Sequence, residues 1–85
     1  MILDANYSNQ ALRFFKQAER DVATRILKKI EHLRGEPFPA DTKPVEGFRE
    51  KLYRVRVGDF RILYEICYDK NILGIVKIDK RGRVY

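Results

Sequence analysis

The sequence predicts an α+β fold of order β-α-α-β-β-β, an antiparallel sheet with an αα-hairpin packed on one face. Three observations carry that expectation. Apolar residues recur at helical spacing up to residue 34, a Pro- and Gly-bearing stretch interrupts, and alternation of period two takes over from residue 51. At 85 residues the chain is expected to form a single domain spanning 1–85, near the lower end of what folds without staples. Cys67 is its only cysteine, so no intramolecular disulfide assists and the core must come from apolar packing.

The opening "MILDANY" reads as a short strand, and Ser8 or Asn6 can cap the helix that follows. Ala11, Leu12, Phe14, Phe15 and Ala18 form the apolar stripe of a helix over 10–19. A second helix, from about Asp21 to Arg34, carries Val22, Ile26, Ile30 and Leu33 on one stripe, widened by Ala23 and Leu27. Gly35 stands where helices commonly end, and Pro37 and Pro39 forbid continuation. The segment "EPFPADTKPVEGFRE", residues 36–50, reads as the longest loop. Strands are expected at about 51–57, 60–68 and 72–79, joined by a Gly58-Asp59 hairpin turn of type II′ and by a turn at Asp69-Lys70-Asn71.

A two-residue turn at 58–59 sets the register. Val57 then faces Phe60, Arg56 faces Arg61, Val55 faces Ile62 and Arg54 faces Leu63. Tyr53, Val55, Val57, Phe60, Ile62, Tyr64 and Ile66 share the core face, leaving Arg54, Arg56, Arg61, Leu63 and Glu65 on the other. Like charges directly opposite destabilise a sheet by a few tenths of a kcal/mol or more. Three guanidinium groups beside one acid point to a partner outside the chain, and the planar fork of arginine suits phosphate. The alternative is a solvated face neutralised by Glu65 and other acids. Simple alternation along the last strand places Val76 and Ile78 in the core and Leu73, Ile75, Lys77, Asp79 and Arg81 on the basic side.

Charge supports the same direction. Residues 1–42 carry seven Lys/Arg against six Asp/Glu, whereas residues 43–85 carry eleven against six. That asymmetry in a chain of net charge +6 favours a polyanionic partner, nucleic acid above all. No carboxylate or His/Cys cluster of the kind metal-dependent nucleases use is evident. His32 reads as a helix-surface residue, and Cys67 has no base in sight to activate it. Phe14, Phe15, Phe60 and Tyr64 fall at core spacing, while Tyr53 and Phe48 could stack on bases. The N-terminus shows no basic leader, and the longest apolar run is far short of the ~20 residues of a membrane span. A soluble, cytoplasmic protein is expected.

Tyr53-Arg54-Val55-Arg56, the Gly58-Asp59 turn, Phe60-Arg61, and Arg81 followed by Tyr85 together resemble the RelE/ParE toxin superfamily, and within it the RelE-like mRNA interferases. "VEGF" at 45–48 resembles the family's LxG element. The resemblance covers the whole chain and implies a toxin of a type II toxin–antitoxin pair. It further implies a metal-independent, ribosome-dependent endoribonuclease that cleaves mRNA in the A site through the RNA's own 2′-hydroxyl, without a cofactor. Arg54 and Arg56 fall where the family uses cations, often lysine, for phosphate contact and proton transfer. Arg61 and Arg81 match the arginines that hold the scissile phosphate and its developing charge, and Tyr85 matches a tyrosine given acid/base work in some members. Since arginine stays protonated, Arg54 and Arg56 suit charge stabilisation better than base catalysis. Lys80 stands where many relatives carry a His before the closing arginine. Lys51, Lys77, Lys80 and Arg83 complete the expected RNA-binding set. The implied partners are a RelB-like antitoxin, the ribosome and mRNA, with no membrane. Two other functions fit the same residues: a ParE-like inhibitor of DNA gyrase, and a non-catalytic nucleic-acid-binding module.

Overall fold

The structure, a computed structural model, describes residues 2–47 and 51–80. Strand β1 (Asp4–Tyr7) leads into helices α1 (Asn9–Gln17) and α2 (Arg20–Gly35). Then come β2 (Lys43–Val45), β3 (Leu52–Val57), β4 (Phe60–Cys67) and β5 (Ile72–Lys80). The five strands lie in the order β1-β5-β4-β3-β2. Both helices cover one face of this sheet, burying Ala11, Ile26, Ile30 and Leu33 against Val55, Ile62, Tyr64, Leu73, Ile75 and Ile78. Each such large aliphatic side chain contributes about 1.5–3 kcal/mol on leaving water. A run of edge-to-face rings, Tyr7–Phe15–Phe14–Phe60, closes the rim of the core with centroids 5.5–5.8 Å apart.

Local chemistry explains the joints. Ser8 caps α1: its Oγ accepts the Ala11 N–H at 3.1 Å and donates to the Val76 carbonyl at 2.7 Å. Pairing of β1 with β5 stops at Tyr7–Ile75. Beyond it Gln10 stands in for a strand, its amide donating to the Ile78 carbonyl at 2.7 Å and accepting the Ile78 N–H at 2.9 Å. Thus backbone groups that a shortened neighbour strand leaves unpaired find side-chain partners. At the far end of α2 the Arg34 Nε donates to the Leu3 carbonyl at 2.7 Å, and the Leu3 N–H donates to the Arg34 carbonyl at 2.9 Å, clasping helix to strand.

The expected hairpin register is observed pair for pair, from Val57–Phe60 through Arg56–Arg61, Val55–Ile62 and Arg54–Leu63. Gly58 has φ +57° while Asp59 does not enter the left-handed region, consistent with the type II′ turn. The Arg25 guanidinium lies over Gly58, where a Cβ would sit 3.3 Å from its Nη1. Asn71 takes the positive φ of the second turn.

Three features differ from the sequence expectation. The sheet is mixed rather than wholly antiparallel, because β1 runs parallel to β5. The segment read as loop contains β2, whose Lys43 and Val45 pair with Arg54 and Leu52 at the sheet edge, the position where a strand tolerates a proline such as Pro44. Finally, Leu73 and Ile75 are not on the basic face but in the core with Ile78. A bulge is responsible: Tyr64 pairs with Ile75 but Leu63 with Lys77, so Val76 is an extra residue and the inward phase changes from odd to even numbers.

Candidate functional site

The sheet face away from the helices carries two cross-strand rows. The first is Lys43–Arg54–Leu63–Lys77 on β2, β3, β4 and β5, and the second is Arg56–Arg61–Asp79 on β3, β4 and β5. Neighbouring strands stand roughly 4.8 Å apart, so the first row spans roughly 14 Å with cations on both sides of Leu63. A groove of about 680 Å³ opens here, lined by Arg54, Arg61, Lys77 and Asp79 over an apolar floor of Val45, Leu52, Leu63 and Val76. Leu52 is buried although it faces away from the helix-side core. The face is therefore amphipathic, an apolar strip bordered by Arg54, Arg61 and Lys77 together with the acids Glu46 and Asp79.

The expected juxtaposition of Arg54, Arg56 and Arg61 is present. Arg56 is exposed and Arg54 half-buried, and neither has an ion-pair partner among the described residues. Arg61 differs. Its Nε donates to Asp79 Oδ1 and its Nη2 to Asp79 Oδ2, both at 3.2 Å, and Lys77 Nζ lies 3.9 Å from Asp79 Oδ2. The Arg61 side chain is only 17% exposed and that of Asp79 13%. The sequence reading of three cations beside the single acid Glu65 thus needs correction. Asp79 supplies Arg61 with a bidentate partner inside the chain, and Arg61 is not freely solvent-facing. Glu65 lies further along the face over Gly74, whose missing side chain makes room: a Cβ there would come within 3.0 Å of Glu65 Cγ.

Other candidates fall as follows. Lys77 stands at the groove wall and is about half exposed. Lys51, exposed, immediately precedes β3. Lys80 pairs with Phe60 and belongs to a second groove, of about 840 Å³, lined by Phe14, Val22 and Phe60 from the core side. It is thus at the sheet end and outside the two cationic rows. Arg81, Arg83, Tyr85 and Phe48 lie outside the described residues. Tyr53 packs edge-on against Phe38 at 5.0 Å and, with its ring tilted by 36°, against Tyr64 at 5.8 Å on the helix side, away from the arginines. His32 is exposed and within 3.1 Å of Glu36. Cys67 is exposed at the end of β4. Among the described residues no three His, Cys, Asp or Glu side chains gather as metal ligands, and no helix is long and apolar enough to cross a membrane.

Sequence reasoning missed one contributor and the pairing of another. Lys43 joins the site only because β2 pairs with β3, a signal hidden by the prolines around it. Asp79 was placeable on the face by alternation, but its directness opposite Arg61 depends on the bulge at Val76.

One titratable group near the site's support is also perturbed. Burial pushes the Tyr64 hydroxyl above its ordinary value, an effect opposed by the hydrogen bond to Thr42 and reinforced by nearby Asp41 and Tyr53. That hydroxyl donates to the Pro37 carbonyl at 2.6 Å, so its contact with Thr42 Oγ1 at 3.0 Å has threonine as donor. Tyr64 thereby pins the 36–42 connection that delivers β2.

Comparison with known proteins agrees with this architecture. The family model of the ParE toxin of type II toxin–antitoxin systems matches residues 3–85. RelE1 of Methanocaldococcus jannaschii, a protein carrying a toxin name, is 37% identical over 73 residues, covering 78% of this chain and 80% of that one. Among solved structures, RelE in the archaeal RelE–RelB complex of Pyrococcus horikoshii superposes with a TM-score of 0.83 at 27% identity, over 99% of this chain and 100% of that one. The isolated E. coli RelE toxin shares the fold, with a TM-score of 0.81 at 17% identity over 96% and 87% of the two chains. The chain belongs to the RelE/ParE family of type II toxin–antitoxin system toxins.

Proposed function

We propose that this toxin is a metal-independent endoribonuclease that cuts mRNA in the ribosomal A site. The observation that carries the reading is the groove between Arg54 and Lys77, which flank Leu63, with Arg56 opposite Arg61 in the neighbouring cross-strand row. A single-stranded RNA laid across these rows would meet guanidinium forks on β3 and β4, the Lys77 ammonium on β5 and an apolar floor for a base or ribose. In the reaction the 2′-oxygen bonds to the adjacent phosphorus as the P–O5′ bond breaks. The 2′-hydroxyl loses its proton and the departing 5′-oxygen gains one. The intermediate concentrates negative charge on the non-bridging oxygens, where fixed guanidinium groups act most strongly. Arg54 and Arg56 stabilise that charge, and Arg61 and Arg81 hold the scissile phosphate. Tyr85 is the proposed proton carrier, with Lys51, Lys77, Lys80 and Arg83 binding the flanking RNA. The ribosome supplies the alignment that a small open groove lacks.

The proposed inhibitor is a RelB-like antitoxin, by analogy with the complexes of P. horikoshii and E. coli RelE with RelB. The proposed compartment is the cytoplasm, where ribosomes and mRNA meet. A second reading, inhibition of DNA gyrase, is favoured by the match to the ParE toxin family model. One experiment separates these. Purified protein is added to translating ribosomes with a chelator present, and mRNA ends are mapped alongside a gyrase supercoiling assay. Chelator-resistant cuts within A-site codons are expected. Gyrase inhibition without cuts would replace this reading with the ParE one, and salt-sensitive RNA binding with neither activity would reduce the protein to a binding module.

A further inference from the structure

We propose that Asp79 is a positioning residue and a built-in counter-ion for the cationic groove. In that role it aims Arg61 while cancelling its charge toward polyanions in general. The inference rests on the RNA-binding reading of this face and goes beyond it by dividing labour among its cations.

Geometry carries the proposal. Asp79 stands directly opposite Arg61 in the β4–β5 register. Its two oxygens take the Nε and Nη2 edge of the guanidinium at 3.2 Å each, the same fork-to-fork contact that a phosphate would make. Both side chains are largely covered, so this pair is screened less than the exposed Lys29–Asp41 pair elsewhere on the surface. Lys77, 3.9 Å from the same carboxylate, also feels it. By contrast Arg54 and Arg56 have no such partner among the described residues. RNA arriving without regard to sequence therefore gains from Arg54, Arg56 and Lys43 but little from Arg61. The guanidinium stays in one orientation, held for a phosphate delivered into the groove in the right place. A covered arginine with no counter-ion would swing toward any phosphate and also carry a desolvation cost.

The test is binding of a short fluorescent oligouridylate, measured as a function of salt for the wild-type protein, Asp79→Asn, Arg61→Gln and the double variant. For single strands log K changes with log salt by about 0.7 for each phosphate neutralised. Asp79→Asn should steepen the slope by about 0.7, equivalent to about 5-fold tighter binding at 0.1 M salt for equal affinities at 1 M. Arg61→Gln should make it shallower by a similar amount. The double variant, which removes both charges while keeping the outline of Asp79 and shortening Arg61 to a neutral amide, should return to the wild-type slope. Should Asp79→Asn fail to fold, judged by thermal melting, the double variant decides. A double-variant slope about 0.7 shallower than wild type would mean that Arg61 already grips RNA despite Asp79, and would overturn the proposal. An Asp79→Asn slope equal to wild type would overturn it as well. Wild-type protein that binds no RNA at any salt would remove the RNA reading and this inference together.

Discussion

Replacing Tyr64 by Phe removes one oxygen atom from a buried residue and tests how the site is supported. The ring keeps its place between Ile62, Ile75 and Tyr53, so little apolar area changes hands. The loss is the hydroxyl's contact with the Pro37 carbonyl at 2.6 Å and with Thr42 Oγ1 at 3.0 Å. Stranding partly buried partners costs about 1–3 kcal/mol, against a total stability of roughly 4–13 kcal/mol for a chain of this length. Near the middle of that range, at about 2 kcal/mol, the melting temperature should fall by roughly 8–16 °C. The assay is thermal and urea unfolding at neutral pH, with hydrogen exchange of the Thr42 amide, which donates to the Pro39 carbonyl at 3.0 Å. That amide should exchange faster in the variant, because the 36–42 connection loses its anchor. The phenol also makes a pH prediction. Its folded value is raised above its ordinary one by burial, so its contribution is complete below about pH 10 and is lost as pH rises through the folded value. Tyr64→Phe should lack that alkaline component. An unchanged melting temperature together with unchanged exchange at Thr42 would show that the hydroxyl does not hold the connection, and the reasoning about how β2 is delivered would fail.

Further outcomes follow from the same packing and charge arguments. Arg54→Gln should leave unfolding within about 0.5 kcal/mol of wild type while making the salt dependence of oligonucleotide binding shallower by about 0.7, read by fluorescence anisotropy. Ile62→Ala, at a fully buried position on the central strand, should cost about 2–5 kcal/mol in urea unfolding. Asp41 is held below its ordinary value mainly by its hydrogen bond to Lys29. Its stabilisation is present above the ordinary carboxylate value and disappears as pH falls through the depressed one. Asp41→Asn should therefore cost at most about 1 kcal/mol at neutral pH, because the pair is exposed, and the two proteins should converge in acid. A gap that persists at low pH would point to a cause other than the ion pair.

How much of this was legible in advance depends on the range of the forces involved. The helices were readable because Ile26, Ile30 and Leu33 repeat on one stripe, although Leu12 and Leu27, counted toward the apolar faces, remain 47% and 42% exposed. The hairpin was readable to the residue, since a two-residue turn leaves one register and a one-residue slip would expose Val55 and Ile62. Arg54, Arg56 and Arg61 followed from it. Less was legible where a residue's role depends on a strand distant in sequence. Periodicity could not announce the bulge at Val76, which carries Leu73 and Ile75 into the core, because a bulge breaks the period it is inferred from.

By itself, then, the sequence determined the order of every element except β2, the β3–β4 register and the concentration of cations on one sheet face. All three arise from contacts between residues near one another along the chain and from the alternation of side chains about the backbone. Only the tertiary structure decided that β1 runs parallel to β5, that Lys43 joins the row of Arg54, and that Asp79 rather than an outside anion meets Arg61. Each of those outcomes is set by long-range strand pairing. The free energy of such pairing depends on how the whole sheet packs against α1 and α2, and no local pattern encodes it.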